Sequence, residues 1–182
     1  MITVDGDTSP NDMVLILANG MASSINERTA DADVFQAGLT EVCTYLARRI
    51  ASDGEGATRL IEVTVDGALT VTDARLAART IAGSPLVKTA VHGCDPNWGR
   101  IVAALGRSGA EIDGARIDLF LNNIRLVAGG SPHPFDEEEV RVAMGGAEVP
   151  IRVCLNLGDG AATAWGCDLS ADYVTINSEY TT

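Results

Sequence analysis

The spacing of hydrophobic residues changes several times along the chain, and each change predicts an element. Val34, Phe35, Gly38, Leu39, Val42, Cys43, Leu46 and Ile50 recur every three or four residues. That spacing predicts a long helix from Asp33 with one apolar face, closed by Gly54 and Gly56. The period then drops to two. Ile61, Val63 and Val65 lie on one side of residues 60–65 and Glu62 and Thr64 on the other, as in a half-buried strand. Residues 72–82 return to helical spacing, with Leu76, Ala77, Thr80 and Ile81 facing in. The continuous apolar run 13–18 reads as a buried strand ended by Asn19-Gly20, and residues 86–91 read as another strand. Residues 2–4 read as a further short strand.

The second half continues in the same way. Asp95 reads as a helix cap with Pro96 at the first helical position, and that helix runs to about Leu105 before Gly106 and Gly109. Ile117, Leu119 and Leu121 alternate with polar or outward positions up to Asn122-Asn123, a pair suited to a two-residue hairpin returning through residues 124–127. Residues 129–134 form a breaker-rich loop. Asp136, Glu137, Glu138 and Glu139 stand where a helix N-terminus favours negative charge, and Gly145-Gly146 ends that helix. Val149, Ile151, Val153 and Leu155 alternate, and a turn at residues 158–160 leads into a strand over 161–167. Residues 170–180 read as a helix capped by Ser170. Interleaved helices and at least two hairpins predict an α+β fold, with layered mixed or antiparallel sheets carrying helices, in a single domain over residues 1–182.

Charge narrows the partners. Thirteen Lys and Arg against 25 Asp and Glu give a net charge of −12 over 182 residues. With no basic cluster, nucleic acid and anionic membrane are not expected as partners. No apolar run reaches the roughly 18 residues of a membrane span, and the first residues lack the cationic and apolar regions of a signal peptide. Cys43, Cys94, Cys154 and Cys167 are scattered, with no C-x-x-C pair, and only His92 and His133 accompany them. This excludes a zinc-type ligand set, so no metal is expected. The thiols read as small buried hydrophobes in a reducing, cytoplasmic setting.

Few local motifs carry chemistry. Gly54-Glu55-Gly56 and Gly158-Asp159-Gly160 lack the third glycine of a dinucleotide loop and read as turns. The acidic stretch from Asp5 to Asp12 fails the calcium-loop template, with Pro10 at the glycine position and Ile16 in place of the bidentate Glu. It reads as turn residues bonding their own backbone. No G-x-S-x-G is present, and His92 reads as a satisfied histidine rather than a base. Glu55 closes a helix, where the dipole disfavours a carboxylate unless it meets solvent or a cation. The polar tail from Asn177 to Thr182 would fray if nothing held it.

Several motifs in order carry a resemblance. They are residues 4–12 (VDGDTSPND), 84–90 (SPLVKTA), 95–100 (DPNWGR) and 164–169 (AWGCDL), then Asp172-Tyr173-Val174 and Asn177-Ser178-Glu179-Tyr180. Over residues 2–182 the chain resembles the C-terminal part of the ornithine acetyltransferase (glutamate N-acetyltransferase) family of cyclic arginine biosynthesis. The resemblance implies the layered mixed-sheet fold of that family and a precursor that cleaves itself into two chains. It further implies that acetyl moves from N-acetylornithine to glutamate, giving ornithine and N-acetylglutamate, through an acetyl-threonine. A terminal amine can serve as base for its own side-chain hydroxyl, and one covalent intermediate divides the transfer into two steps. No cofactor is implied.

The family's nucleophilic threonine and oxyanion donors lie upstream of the segment that matches Ile2. This chain is therefore expected to hold no catalytic residue and to be inactive alone. By the resemblance, Glu55, Asn177 and Thr182 fall at substrate contacts, Glu55 pairing with an ornithine ammonium, and the tail becomes ordered. Asp95, Pro96 and Trp98 stay structural, and Arg100 is a candidate ion-pair partner. Pro10 stands where the family carries a hydroxyl residue, which stiffens that turn. Pairing with the alpha chain of the same precursor, and a heterotetramer of two such pairs, are expected. A non-catalytic binding or assembly module of the same fold is the competing reading, and a self-processing aminopeptidase the weaker third.

Overall fold

A computed structural model describes residues 1–9, 12–22 and 30–179. A long helix opens the regular structure (α1, Ala30–Ser52), followed by β1 (Leu60–Ala68), α2 (Val71–Ala82), α3 (Pro85–His92) and α4 (Trp98–Gly106). After a 3-10 turn at Gly114–Arg116 come β2 (Asp118–Leu121), β3 (Ile124–Ala128), β4 (Ser131–Pro132), α5 (Glu137–Met144), β5 (Glu148–Cys154), β6 (Gly160–Cys167) and α6 (Ala171–Glu179).

The six strands form one mixed sheet in the order β4-β3-β2-β5-β1-β6. β1 runs parallel to β5, from Leu60 opposite Glu148 to Asp66 opposite Cys154, and antiparallel to β6. The expected α+β class holds. The hairpin through Asn122-Asn123 forms as expected, both residues taking the positive φ such a turn needs, 49° and 67°. The second expected hairpin does not form, because β1 inserts between β5 and β6. The turn at residues 158–160 is instead bonded to Gly67, at the end of β1.

The alternation in β1 and β5 decides which sheet face is covered. Ile61, Val63, Val65, Val149, Ile151 and Val153 are all buried. They meet Ala74, Ala77, Ala78 and Ile81 of α2, with Leu105 and Met144 from the other helices on that face. Thr70 caps α2 by accepting from Asp73 N, and Asp136 caps α5 by accepting from Glu138 N and Glu139 N. Leu76, expected inside, lies on the solvent side of α2.

Other expectations fail for identifiable reasons. Residues 86–91 are helical, not a strand. Pro85 stands at the helix start, where its missing N–H costs nothing, and Val87 and Val91 then face the core four residues apart. Asp95 and Pro96 precede α4 rather than starting it, and Asn97 holds the cap position without a side-chain bond to the helix, its Nδ2 donating to Asp95 Oδ2 instead. Trp98 packs against the core as expected. Among the described residues Arg100 pairs with no carboxylate; it donates to Leu86 O and Thr89 Oγ1. Residues 2–4 make a single bridge, Ile2 to Trp165, rather than a strand.

The largest departures are N-terminal. Met13 to Leu17 form no strand and lie open, Leu17 at 93% exposure. The apolar face of α1 is open too, with Val34, Phe35, Val42 and Tyr45 each more than half exposed. Polar groups tie α1 to the sheet: Arg48 pairs with Glu62 and, at 2.6 Å, with Glu148. Glu62 also accepts from Trp165 Nε1 at 2.8 Å. Cys154 and Cys167 are buried as expected, Cys94 is half-buried, and Cys43 is exposed on α1.

Candidate functional site

Residues 53–59 leave α1 as a short loop and enter β1, and Glu55 rides at its crest. Gly56 takes φ +67°, and a Cβ there would meet Tyr173 N at 2.7 Å, so only glycine lets α6 approach this closely. Ser170 is the hinge of that approach. Its Oγ donates to Gly56 O at 2.7 Å and accepts from Tyr173 N, capping α6 as expected.

With α6 so placed, Asn177 Nδ2 donates to Glu55 Oε2 at 2.6 Å and to Tyr173 O at 2.9 Å. Two of the three expected site residues, 122 positions apart, thus touch directly. The third, Thr182, lies outside the described residues, as does Pro10. The tail is helical to Glu179, not frayed.

Glu55 and Asn177 line an open cavity of about 850 Å³, whose other walls include Val4, Asp5, Asp7, Asp12, Asp53 and Tyr173. Its lining carries five carboxylates and no lysine or arginine among the described residues. Tyr173 Oη donates to Asp5 Oδ2 at 3.1 Å. The Tyr173 phenol is held above its usual range, first by burial and then by Asp5, Glu55 and Asp7. The field in the cavity therefore favours a cationic ligand group. The acidic stretch itself behaves as turn chemistry, Asp5 Oδ1 accepting from Asp7 N and Ser9 Oγ from Asp12 N. No group of His, Cys, Asp and Glu among the described residues could hold a metal ion.

Two buried charges outside the cavity hold its walls. Lys88, 2% exposed, donates from Nζ to Val4 O and Cys167 O, both at 2.5 Å, joining the N-terminal segment to the end of β6. Asp168, also 2% exposed, accepts from Thr58 N at 2.7 Å, Thr58 Oγ1 at 2.6 Å and Arg59 N at 2.8 Å. Its Oδ2 also lies 2.7 Å from His92 Nδ1. Burial alone would raise the Asp168 pKa, but hydrogen bonds from Thr58, His92 and Arg59 hold it below the usual carboxylate range. An ionised carboxylate only accepts, so His92 Nδ1 carries the proton. His92 is thus a satisfied histidine, as expected. Lys88 and Asp168 do not stand out in the sequence, because a charged residue in a local pattern reads as surface. Their signal was the placement of each inside a run of small and apolar neighbours.

The ArgJ family profile matches residues 1–182. The chain is 56% identical over its full length to the arginine biosynthesis bifunctional protein ArgJ of Dehalococcoides mccartyi, covering 45% of that protein. It is 53% identical to the protein of the same name from Symbiobacterium thermophilum, covering 46% of it. The crystal structure of arginine biosynthesis bifunctional protein ArgJ from Bacillus halodurans matches with a TM-score of 0.95 at 46% identity, over 98% of this chain and 85% of that one. The chain spans about half the length of the curated relatives it matches.

Proposed function

Because the chain belongs to the ArgJ family, we propose that it is the C-terminal part of a cytoplasmic acetyltransferase of arginine biosynthesis. The enzyme moves acetyl from N-acetylornithine to glutamate, and this chain supplies the amino-acid-binding wall of its active site. The observation that carries the reading is the contact between Glu55 and Asn177 inside an acidic cavity. A carboxylate held by an amide donor pairs with a substrate ammonium and orients it, and the surrounding aspartates raise the local preference for that charge.

The wall is half of a site. The described lining offers no cation for a substrate carboxylate, and no nucleophile–base pair stands in it. A companion segment, matching the part of the relatives that this chain does not cover, supplies both. It brings the threonine whose hydroxyl attacks the acetyl carbonyl, so that ornithine leaves with a proton on its amine and glutamate's amine then takes the acetyl group. It also brings donors for the oxyanion. The exposed run from Met13 to Leu17 and the open face of α1 support such a companion, since apolar surface this contiguous marks an interface. Among the described residues no helix is long and apolar enough to cross a membrane.

The test is co-production of this chain with that companion and an assay of acetyl transfer. Glu55→Gln is expected to raise KM for N-acetylornithine about tenfold, the loss of one hydrogen bond to a charged group, with kcat little changed. An unchanged KM would remove Glu55 from the site. A silent Glu55 beside an inactive pair would favour the assembly module.

A further inference from the structure

The Glu55 loop packs closely at its glycines, Gly54 against Val4 and Cys167 and Gly56 against α6, but cavities flank the rest of it. On one side lies the acidic cavity. On the other, a second cavity of about 530 Å³ opens between the end of α1 and the start of β1, lined by Arg49, Ile50, Ser52, Thr58, Arg59 and Ala147 among others. A loop flanked by space on both sides cannot be fixed by van der Waals contact alone. Its position also rests on polar tethers, and three of these converge on one carboxylate.

Asp168 takes two backbone N–H groups and one hydroxyl from Thr58 and Arg59, and returns its own N–H to Arg59 O at 3.1 Å. Two residues further on, Ser170 holds Gly56 O. The same short stretch, 168–170, therefore grips the loop at Gly56 and at Thr58–Arg59, on the β1 side of Glu55, and launches α6, which carries Asn177. His92 is the outside support of this grip. It ends α3. Its Nδ1 meets Asp168 Oδ2, while its carbonyl accepts from Arg59 Nη1 at 2.9 Å. The Asp168 side chain is fully buried and that of His92 is 40% exposed, so His92 can be exchanged without opening the core.

We propose that His92 and Asp168 form a positioning pair that holds the Glu55 loop in register with Asn177, setting substrate affinity without touching substrate. This rests on the reading of Glu55 as a substrate contact. The pair restrains the carboxylate from behind. Without His92, Oδ2 keeps only the Thr58 hydroxyl, the carboxylate is less firmly oriented, and the loop shifts toward the second cavity. Misplacement of a binding group by an ångström or less shows first as weaker binding.

The test uses the complex of this chain with its companion. His92→Leu removes the donor at similar size, and His92→Asn restores an N–H near the Nδ1 position. His92→Leu is expected to raise KM for N-acetylornithine about tenfold with kcat within about twofold, and His92→Asn to recover most of the loss. Asp168→Asn, which offers one acceptor where two are used, is expected to raise KM further. If it fails to fold, the His92 pair decides. Amide exchange at Thr58 and Arg59, measured on this chain, is read in parallel: faster in His92→Leu, near normal in His92→Asn. A silent His92→Leu, an asparagine no better than leucine, or a loss in kcat alone would overturn the pair. Should the wild-type complex be inactive or Glu55→Gln silent, the substrate reading fails by itself. Exchange then decides the tether: equal protection in all three proteins would refute it.

Discussion

The two ends of this molecule carry equally clear hydrophobic patterns and opposite fates. In β1 and β5 the alternating residues Ile61, Val63, Val65, Val149, Ile151 and Val153 meet α2 and disappear from solvent. In the first 50 residues, the run from Met13 to Leu17 and the stripe along α1 are no less apolar, yet they stay open. Local pattern states which face is to be covered. It does not state whether the cover lies in the same chain. In β1 the cover is the next helix in sequence; for the N-terminal region we assign it to the companion segment.

Core truncation should separate the two regions most sharply. Ile151→Ala is expected to cost about 3 kcal/mol of unfolding free energy in a urea titration of the chain alone. Leu17→Ala should cost less than about 0.5 kcal/mol there and appear only on pairing, weakening it about tenfold. A Leu17→Ala chain that loses stability by itself would mean the N-terminal run already has its cover.

Acid should act on the tethered part through Asp168. Its folded pKa lies below the ordinary 3.8, so the stabilisation it gives is complete above about pH 4 and drains as pH falls through the folded value. Asp168→Asn should flatten the acid limb of stability against pH; an unaltered limb would mean that other carboxylates set it. Lys88→Met, which leaves Val4 O and Cys167 O without their buried donor, should cost about 1–2 kcal/mol. It should also speed amide exchange at Thr3, whose N–H bonds Trp165 O. Unchanged exchange there would deny Lys88 its role as the joint between the two regions. The smallest effect is chemical. Cys43 should react with a thiol reagent in the folded chain and become protected on pairing. Cys154, whose thiol is pushed up to about 11, first by burial and then by Asp66, should stay inert until unfolding.

The readable parts of the fold were those decided within a few residues. The acidic start of α5, the cap at Ser170, the Asn122-Asn123 turn and the alternation of β1 and β5 all follow from local chemistry. What escaped was decided at a distance. Nothing in residues 148–167 states that a strand almost a hundred positions earlier lies between β5 and β6. The stretch 86–91 is ambiguous by periodicity, and Pro85 was the signal to weigh. For the site, resemblance pointed to Glu55 and Asn177, and the fold brings them into contact. The buried charges behind them are harder to read, because burial is a property of the packed sheet and the local sign is only their small and apolar neighbours.

The central claim is a division of labour: this chain walls the amino-acid pocket, and the reacting hydroxyl comes from the companion. Intact-mass analysis of the paired chains after brief exposure to N-acetylornithine tests it directly. The account predicts one added acetyl group on the companion and none on this chain, with no adduct when this chain is incubated alone. An acetyl group carried by residues 1–182, with or without the companion, would contradict it.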